Sequence, residues 1–479
     1  MLTRDEWCSH DLVGLADLAA TGQVSRREIL KTAIREIEDL NPAVNAVVLT
    51  RFEEALDALD DGATDRFAGM PYLLKDLHAP VRGMPLANGS VRFKGTVFDF
   101  DSTTVARLRA AGFGLLGRTA SPEFGLSVAT ESAAWGITRN PWNPDHGAGG
   151  SSGGAGAAVA AGMLPAAHAT DSAGSIRIPA AFNGLVGLKP TRGLNAFGPH
   201  RGDPNFGLSH EHAVTRSVRD SAAILDITAG PDAGCPYFTA RPTTPFETLI
   251  ATPPDRVKIG FVITRFDGGA VHPDSREAVA KTAVLLADLG HDVTEAGPDF
   301  DSNALTDVMI RLLMGSLAGL FVGMPLDGES GLEGFEPITR QAIRFAQDTS
   351  LGTHLHRAAQ VNAHVRQLAR YFERFDVLLT PATNGPAPVH GTLRMDRGDL
   401  ETFLENLFAI SPFTAPFNAS GQPAIALPVH QTADGLPIGV QLVGRFAEDA
   451  LLLGLAAQME TAARWQTVAP GLGERPNRG

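Results

Sequence analysis

Cysteine is scarce in this chain: Cys8 and Cys235 are the only two in 479 residues. That excludes a disulfide scaffold and a cysteine-built zinc site, and two reduced thiols are expected. Clustered positive charge is missing as well. Forty basic residues against 53 acidic ones leave a formal charge of −13, with no Lys/Arg-dense block to neutralise a phosphate backbone, so nucleic acid is not an expected partner. The longest uncharged apolar stretch, LLMGSLAGLFVGMPL at 312–326, carries Pro325 near its end and falls short of the ~20 residues that a bilayer span needs. It is expected as a buried helix, with Met314 and Met324 as candidates to line an adaptable pocket. The opening MLTRDEWCSHDL lacks both a basic n-region and an apolar h-region, which predicts a cytoplasmic location.

What is present is a globular composition, 44% hydrophobic, with no repeat and no visible domain boundary. One domain over 1–479 is expected, comprising a helical segment 1–65, a core 66–235, a variable pocket region 236–375 and a closing segment 376–479. SRREILKTAIREIEDLNP at 25–42 predicts a helix that starts with Ser25 and Glu28 in capping-box spacing, buries Ile29, Ala33, Ile37 and Leu40, and stops before Pro42. GMPYLLKDL at 69–77 predicts a buried strand that delivers Lys75 at its end. Helices are expected at 217–230, 303–322 and 451–460, and strands at 257–263, 376–381 and 437–444. Their irregular alternation predicts an α/β fold with a mixed central sheet.

The stretch GAGGSSGGAGAAVA at 147–160 is too rich in glycine to pass unexplained. A phosphate-binding P-loop is excluded because no lysine occurs from 95 to 188, and the dinucleotide fingerprint started at Gly147 ends on Ser152 where glycine is required. No nucleotide cofactor is expected. Gly149, Ser151 and Gly153 satisfy G-x-S-x-G, yet Pro141, Pro144 and Asp145 make the preceding segment turn-rich where a nucleophile elbow needs a strand. No H-E-x-x-H motif occurs. His210/His212 and His354/His356 lie two apart, where helical side chains diverge; they are expected at the surface, and no metal is expected.

A second serine loop follows in TDSAGSIRIPAAFNGLVGLKPTRG at 170–193. Small residues before Ser175 let successive backbone N–H groups turn towards one point, as an oxyanion hole requires, which makes Ser175 a candidate nucleophile. Together GGSSGG (149–154), DSAGSIRIP (171–179) and GLKPTRG (187–193) closely resemble the amidase signature family. The resemblance extends through PYLLKDL, TRNPWNP, DVLLTP and FTAPFNASGQPAIALPVHQTADGLPIGVQLVGR. It implies that family's helix-covered mixed sheet and amide hydrolysis by a Ser-cisSer-Lys triad without a cofactor. Carried over by position, Ser175 matches the nucleophile, Ser151 the serine on a cis peptide bond, and Lys75 the lysine. The backbone N–H groups of Ser172, Ala173, Gly174 and Ser175 match the oxyanion hole, and Gly125, Leu126 and Ser127 the segment beside the scissile group. Two positions depart from the pattern: Ala173 stands where the family usually has glycine, and Ala148 where it has proline. The Ala173 Cβ resists φ > 0, which predicts a slightly reshaped loop. Asp171 and Arg177 are expected as a bracing ion pair, since arginine does not lose its proton.

The chemistry needs these residue types. A serine hydroxyl is a weak nucleophile until a base accepts its proton, and lysine serves as that base only when neutral, a state that burial favours. Run in reverse, the relay through Ser151 protonates the leaving amine. The Met- and Leu-rich 309–324 segment predicts a mainly apolar acyl or aryl pocket. Residues 208–232 resemble the family branch of the 6-aminohexanoate cyclic-dimer hydrolases, which leaves linear, aryl and cyclic amides and carbamates open as small-molecule substrates. The alternative is an A-type amidotransferase component that feeds ammonia to a partner complex on tRNA; the −13 charge and the divergent 198–235 segment weigh against it. A monomer or homodimer is expected.

Overall fold

The computed structural model describes residues 2–472 apart from positions 61, 203 and 327. One mixed sheet of eleven strands runs through it. In chain order these are β1 (Val47–Thr50), β2 (Pro71–Lys75), β3 (Gly114–Thr119), β4 (Ala166–Asp171), β5 (Val186–Lys189), β6 (His210–Thr215), β7 (Lys258–Phe261), β8 (Asp292–Glu295), β9 (Val377–Pro381), β10 (Ala424–Gln431) and β11 (Pro437–Gly444). In space they lie β1-β3-β2-β4-β6-β5-β10-β11-β9-β7-β8. The three strands expected at 257–263, 376–381 and 437–444 are β7, β9 and β11.

The position of the site follows from β2. Each residue of PYLLK is buried, so the strand is covered on both faces and reads as a continuous apolar run rather than an alternation. β2 pairs in parallel with β3 and with β4, where Leu73 stands opposite Ala167. Since β2 and β4 run the same way, Lys75 and Asp171 emerge at the same edge of the sheet, and ligands of parallel sheets bind outside such carboxyl ends.

Helices cover the sheet. The first long one, α1 (Arg26–Val44), opens as predicted: the Glu28 N–H donates to Ser25 Oγ at 3.2 Å, and Ile29, Ala33, Ile37 and Leu40 are buried. It does not stop before Pro42. Proline's missing N–H removes one bond in the last turn only, and the helix ends instead where Asn45 turns left-handed at φ 54°, a conformation asparagine tolerates. Behind the glycine-rich segment pack α2 (Gly153–Ala160) and α3 (Arg177–Asn183), with every residue of both buried. This stretch is packed backbone, not linker.

Further helices are α4 (Val218–Thr228), α5 (Ser302–Gly319), α6 (Pro337–Gln347), α7 (Leu351–Ala369), α8 (Leu400–Ile410) and α9 (Asp449–Ala463), of which α5, α6 and α8 reach the site. The helix expected over 303–322 ends at Gly319, so Met314 is buried whereas Met324 is exposed. Among the described residues no helix is long and apolar enough to cross a membrane. The surface expectation for His210 and His212 is corrected. Both lie on β6 and are buried; His210 Nδ1 lies 3.0 Å from the Leu208 carbonyl and His212 Nε2 lies 2.9 Å from Ser221 Oγ. A strand sends residues i and i+2 to one face, so here the shared face is the interior. His354 and His356 lie on α7, half-buried and exposed respectively.

Candidate active site

Lys75 is wholly buried at the end of β2. Its Nζ lies 2.7 Å from Ser151 Oγ and 2.9 Å from Thr170 Oγ1 on the neighbouring β4. Burial drives the ammonium pKa well below the ordinary lysine value, against the pull of the Asp171 carboxylate. A neutral amine there donates to Thr170 and accepts the Ser151 hydroxyl proton with its lone pair. The turn after Lys75 is pinned by Asp76, whose carboxylate accepts the N–H groups of Ala87 and Gly89 and the Trp135 indole N–H at 2.7–3.1 Å. Arg118 Nη1 donates to the Lys75 carbonyl at 3.1 Å.

Ser151 stands between a short strand at Asn143–Gly147 and α2. The segment that the prolines mark as turn-rich is thus a strand, but one of a separate two-stranded ribbon with Arg139–Asn140. The Gly150–Ser151 peptide bond is cis. The two adjacent serines divide: Ser151 meets Lys75, while Ser152 Oγ donates to the Thr170 carbonyl at 3.2 Å and accepts the Thr170 N–H at 3.3 Å. Among the described residues no histidine bonds to either, as an elbow triad would require.

Ser175 sits half-buried in the loop after β4. Asp171 and Arg177, both wholly buried, brace that loop by a two-pronged ion pair at 2.9 and 3.0 Å. Burial pushes the Asp171 carboxyl up, but the Arg177 charge and the hydrogen bonds from Arg177 and Asn418 outweigh it and hold the carboxyl well below the usual range. The guanidinium also donates to the Thr414 carbonyl, Gln441 Oε1 and Asn418 Oδ1, which ties the loop to the closing segment. Arg177→Met leaves a buried carboxylate without its partner, and urea unfolding should record a loss of about 3–5 kcal/mol.

The oxyanion expectation is corrected at one member. The Gly174 N–H donates to Asp171 Oδ1 at 2.6 Å and is not free for a ligand. No partner is found among the described residues for the N–H groups of Ser172, Ala173 and Ser175, which leaves three donors. Gly174 contributes conformation instead, at φ +135°. Ala173 is not in the left-handed region, so its Cβ causes no backbone strain; it packs against an apolar cluster built mainly on α5 and lines the cavity.

That cavity, about 980 Å³ and open to solvent, is lined by Ser151, Ser172, Ser175 and Thr170 on one side. Gly125, Leu126 and Ser127 border it, and Leu313, Met314 and Leu317 of α5 form an apolar wall. Sequence reasoning missed Ile338 and Ala342 of α6 and Leu400, Phe403, Leu404 and Leu407 of α8. The spacing of the last four marks an apolar helix face, the only signal available for them. Gly125 has φ +71°, and a Cβ there would lie 2.8 Å from Leu77 Cδ2 and 3.1 Å from Ser151 Oγ. Gly125→Ala should lower kcat by about ten- to a hundredfold by displacing Ser151, measured beside a circular-dichroism spectrum and an unfolding transition that show the fold retained. Asp274, Glu277 and His430 bring potential metal ligands within 4.8 Å of one another, but none of them lines this cavity.

The amidase family model matches residues 28–453. The chain belongs to the amidase signature family. It is 38% identical to the 6-aminohexanoate-cyclic-dimer hydrolase of Paenarthrobacter ureafaciens over 98% of its own length and 97% of that protein's. A solved structure of 6-aminohexanoate cyclic dimer hydrolase superposes with a TM-score of 0.91 at 36% identity, covering 98% of this chain and 100% of that one. A bacterial aryl acylamidase of the amidase signature family gives 0.85 at 27%, covering 95% and 96%. The A component of glutamyl-tRNA(Gln) amidotransferase from Thermotoga maritima is more distant, at 0.72 and 25%, covering 96% and 94%. This amidase is a hydrolase of amide C–N bonds, with the α/β fold and mixed eleven-stranded sheet of its relatives.

Proposed function

We propose that Ser175, Ser151 and Lys75 carry out the hydrolysis, and that the substrates are neutral carboxamides with an apolar acyl portion. The observation that carries the proposal is the 2.7 Å contact between Lys75 Nζ and Ser151 Oγ inside a wholly buried environment, on the wall of the cavity that also receives Ser175. The Ser175 hydroxyl passes its proton to Ser151, which passes its own to the neutral Lys75 amine, while Ser175 Oγ bonds to the substrate carbonyl carbon. The carbonyl oxygen gains the electron pair and is held by the N–H groups of Ser172, Ala173 and Ser175. As the C–N bond breaks, the proton returns through Ser151 to the nitrogen and an acyl-enzyme remains. Water, deprotonated by the same relay, releases the acid.

The cavity itself favours a neutral substrate. Among the described residues its only titratable lining group besides hydroxyls is His78, so a charged acyl chain would lose hydration without a counter-charge. Linear, aryl and cyclic amides fit that description, as do carbamates, whose carbonyl presents the same geometry. The name of the cyclic-dimer hydrolase supports the cyclic class. We extend the proposal to action as a monomer or homodimer in the cytoplasm, with two unlinked cysteines in keeping with a reducing compartment. The deciding experiment offers the purified chain p-nitroanilides, cyclic diamides and aryl carbamates, with products identified by mass spectrometry. Turnover of uncharged members without any added protein is expected; a requirement for a partner complex would favour the amidotransferase alternative.

A further inference from the structure

His78 follows Lys75 by three residues and stands where three cavities meet. It lines the cavity of Ser151 and Ser175. On its other side, with Arg201, it lines a second of about 540 Å³ walled by Phe98, Phe100 and Phe197, and a third beside Phe206 and Leu320. Its backbone is left-handed at φ 63°, a region that histidine enters more readily than most residues.

The chemistry of the ring follows from its neighbour. Arg201 Nη1 lies 3.0 Å from His78 Nδ1. A guanidinium only donates, so Nδ1 accepts and the ring proton sits on Nε2. Burial, reinforced by the charges of Arg201 and Lys75, holds the imidazole pKa well below its ordinary value. The ring is therefore a neutral donor, and Nε2 has no partner among the described residues.

The direction of the substrate decides which half of it meets that donor. The leaving nitrogen must face Ser151, which returns the proton to it. A Cβ on Gly125 would meet both Ser151 Oγ, at 3.1 Å, and Leu77 Cδ2, at 2.8 Å, and His78, the residue after Leu77, lines the same cavity. The acyl half is left to the apolar wall of Leu313, Met314 and Leu317. We propose that His78 is a specificity-determining residue whose Nε2–H donates to an acceptor oxygen on the amine half of the substrate. Preferred substrates then carry a second carbonyl beyond the scissile nitrogen, and the aromatic cavity behind His78 receives the remainder. This inference rests on the assignment of Ser175, Ser151 and Lys75 as the hydrolytic centre.

The test compares two hexanoyl amides of matched shape, one of 4-aminobutanamide and one of 4-methylpentylamine, by the amine released. The carbonyl lies three methylenes from the scissile nitrogen, and comparison of enzymes cancels the residual difference in reactivity. His78→Gly suits the left-handed backbone and removes the donor; His78→Asn keeps a donor on a residue that also tolerates it. The parent should prefer the carbonyl-bearing amide, and His78→Gly should lose about tenfold of that preference, mainly through KM, with partial recovery in His78→Asn. An unchanged preference in His78→Gly overturns the proposal. Dissociation constants of both amides for Ser175→Ala, with and without His78→Gly, make the same comparison without turnover. If the parent hydrolysed neither amide, the hydrolytic assignment would fail while the ratio of dissociation constants still decided His78. A 15N spectrum showing the Nδ1–H tautomer at His78 would also overturn it.

Discussion

Ser175→Ala should reduce kcat for amides on the order of 10⁶-fold while the chain remains folded. The size of the effect follows from the way the three groups act. Lys75 and Ser151 hold their 2.7 Å contact without Ser175, but with no oxygen to deprotonate they accelerate nothing. What survives is the rate due to binding and to the three free loop N–H groups, and such residual catalysis is about 10³–10⁴ over water in comparable hydrolases. A fluorophosphonate should label Ser175 in the parent and leave the variant unmodified. Parent-like turnover in Ser175→Ala, or labelling confined to Ser151, would remove Ser175 from the mechanism. The fold should not suffer, because Ser175 is half-buried and no side-chain hydrogen bond from the described residues holds it.

Much of this site was legible because it is local in sequence. PYLLKDL announces a charged end on a buried strand, and TDSAGS announces a turn with little side chain in it; each lies within one loop or strand. What sequence could not supply is the pairing of β2 with β4, which sets Thr170 beside Lys75 although 95 positions separate them. The same holds for α6 and α8, whose apolar faces are evident from their spacing but whose target, the cavity beside Ser175, is a property of the assembled chain. The Gly174 amide has a partner within its own loop for an equally physical reason. Asp171 precedes it by three residues, an ideal position to cap its own loop, and a carboxylate already in place outcompetes an absent ligand. The helix through Pro42 shows the limit of breaker rules: proline is disruptive in a helix interior, where it costs ~3 kcal/mol, and far less where the helix is about to end.

Lys75→Met should slow amide hydrolysis far more than ester hydrolysis and should abolish the alkaline rise in activity that the parent is expected to show. Methionine preserves the buried stem, so the loss isolates the amine. In the proposed relay Lys75 works as base only when neutral. Its pKa is depressed by burial, so the neutral fraction, and with it kcat/KM, grows as pH climbs through that lowered value and levels off above it, below the ~10.4 of an ordinary lysine. Acid conditions protonate Lys75 and switch the relay off. The substrate comparison separates the two directions of proton transfer. An ester's alkoxide departs with little help, whereas an amine must be protonated as it leaves, so the return step matters chiefly for amides. Ser151→Ala should show the same bias with a smaller loss if water fills the vacated hydroxyl position and bridges Lys75 to Ser175. Matched amide and ester kcat/KM values across the pH range measure both effects. Equal losses for the two substrates would mean that Lys75 activates the nucleophile but does not protonate the leaving nitrogen, and a pH profile unchanged in Lys75→Met would remove it from the relay altogether.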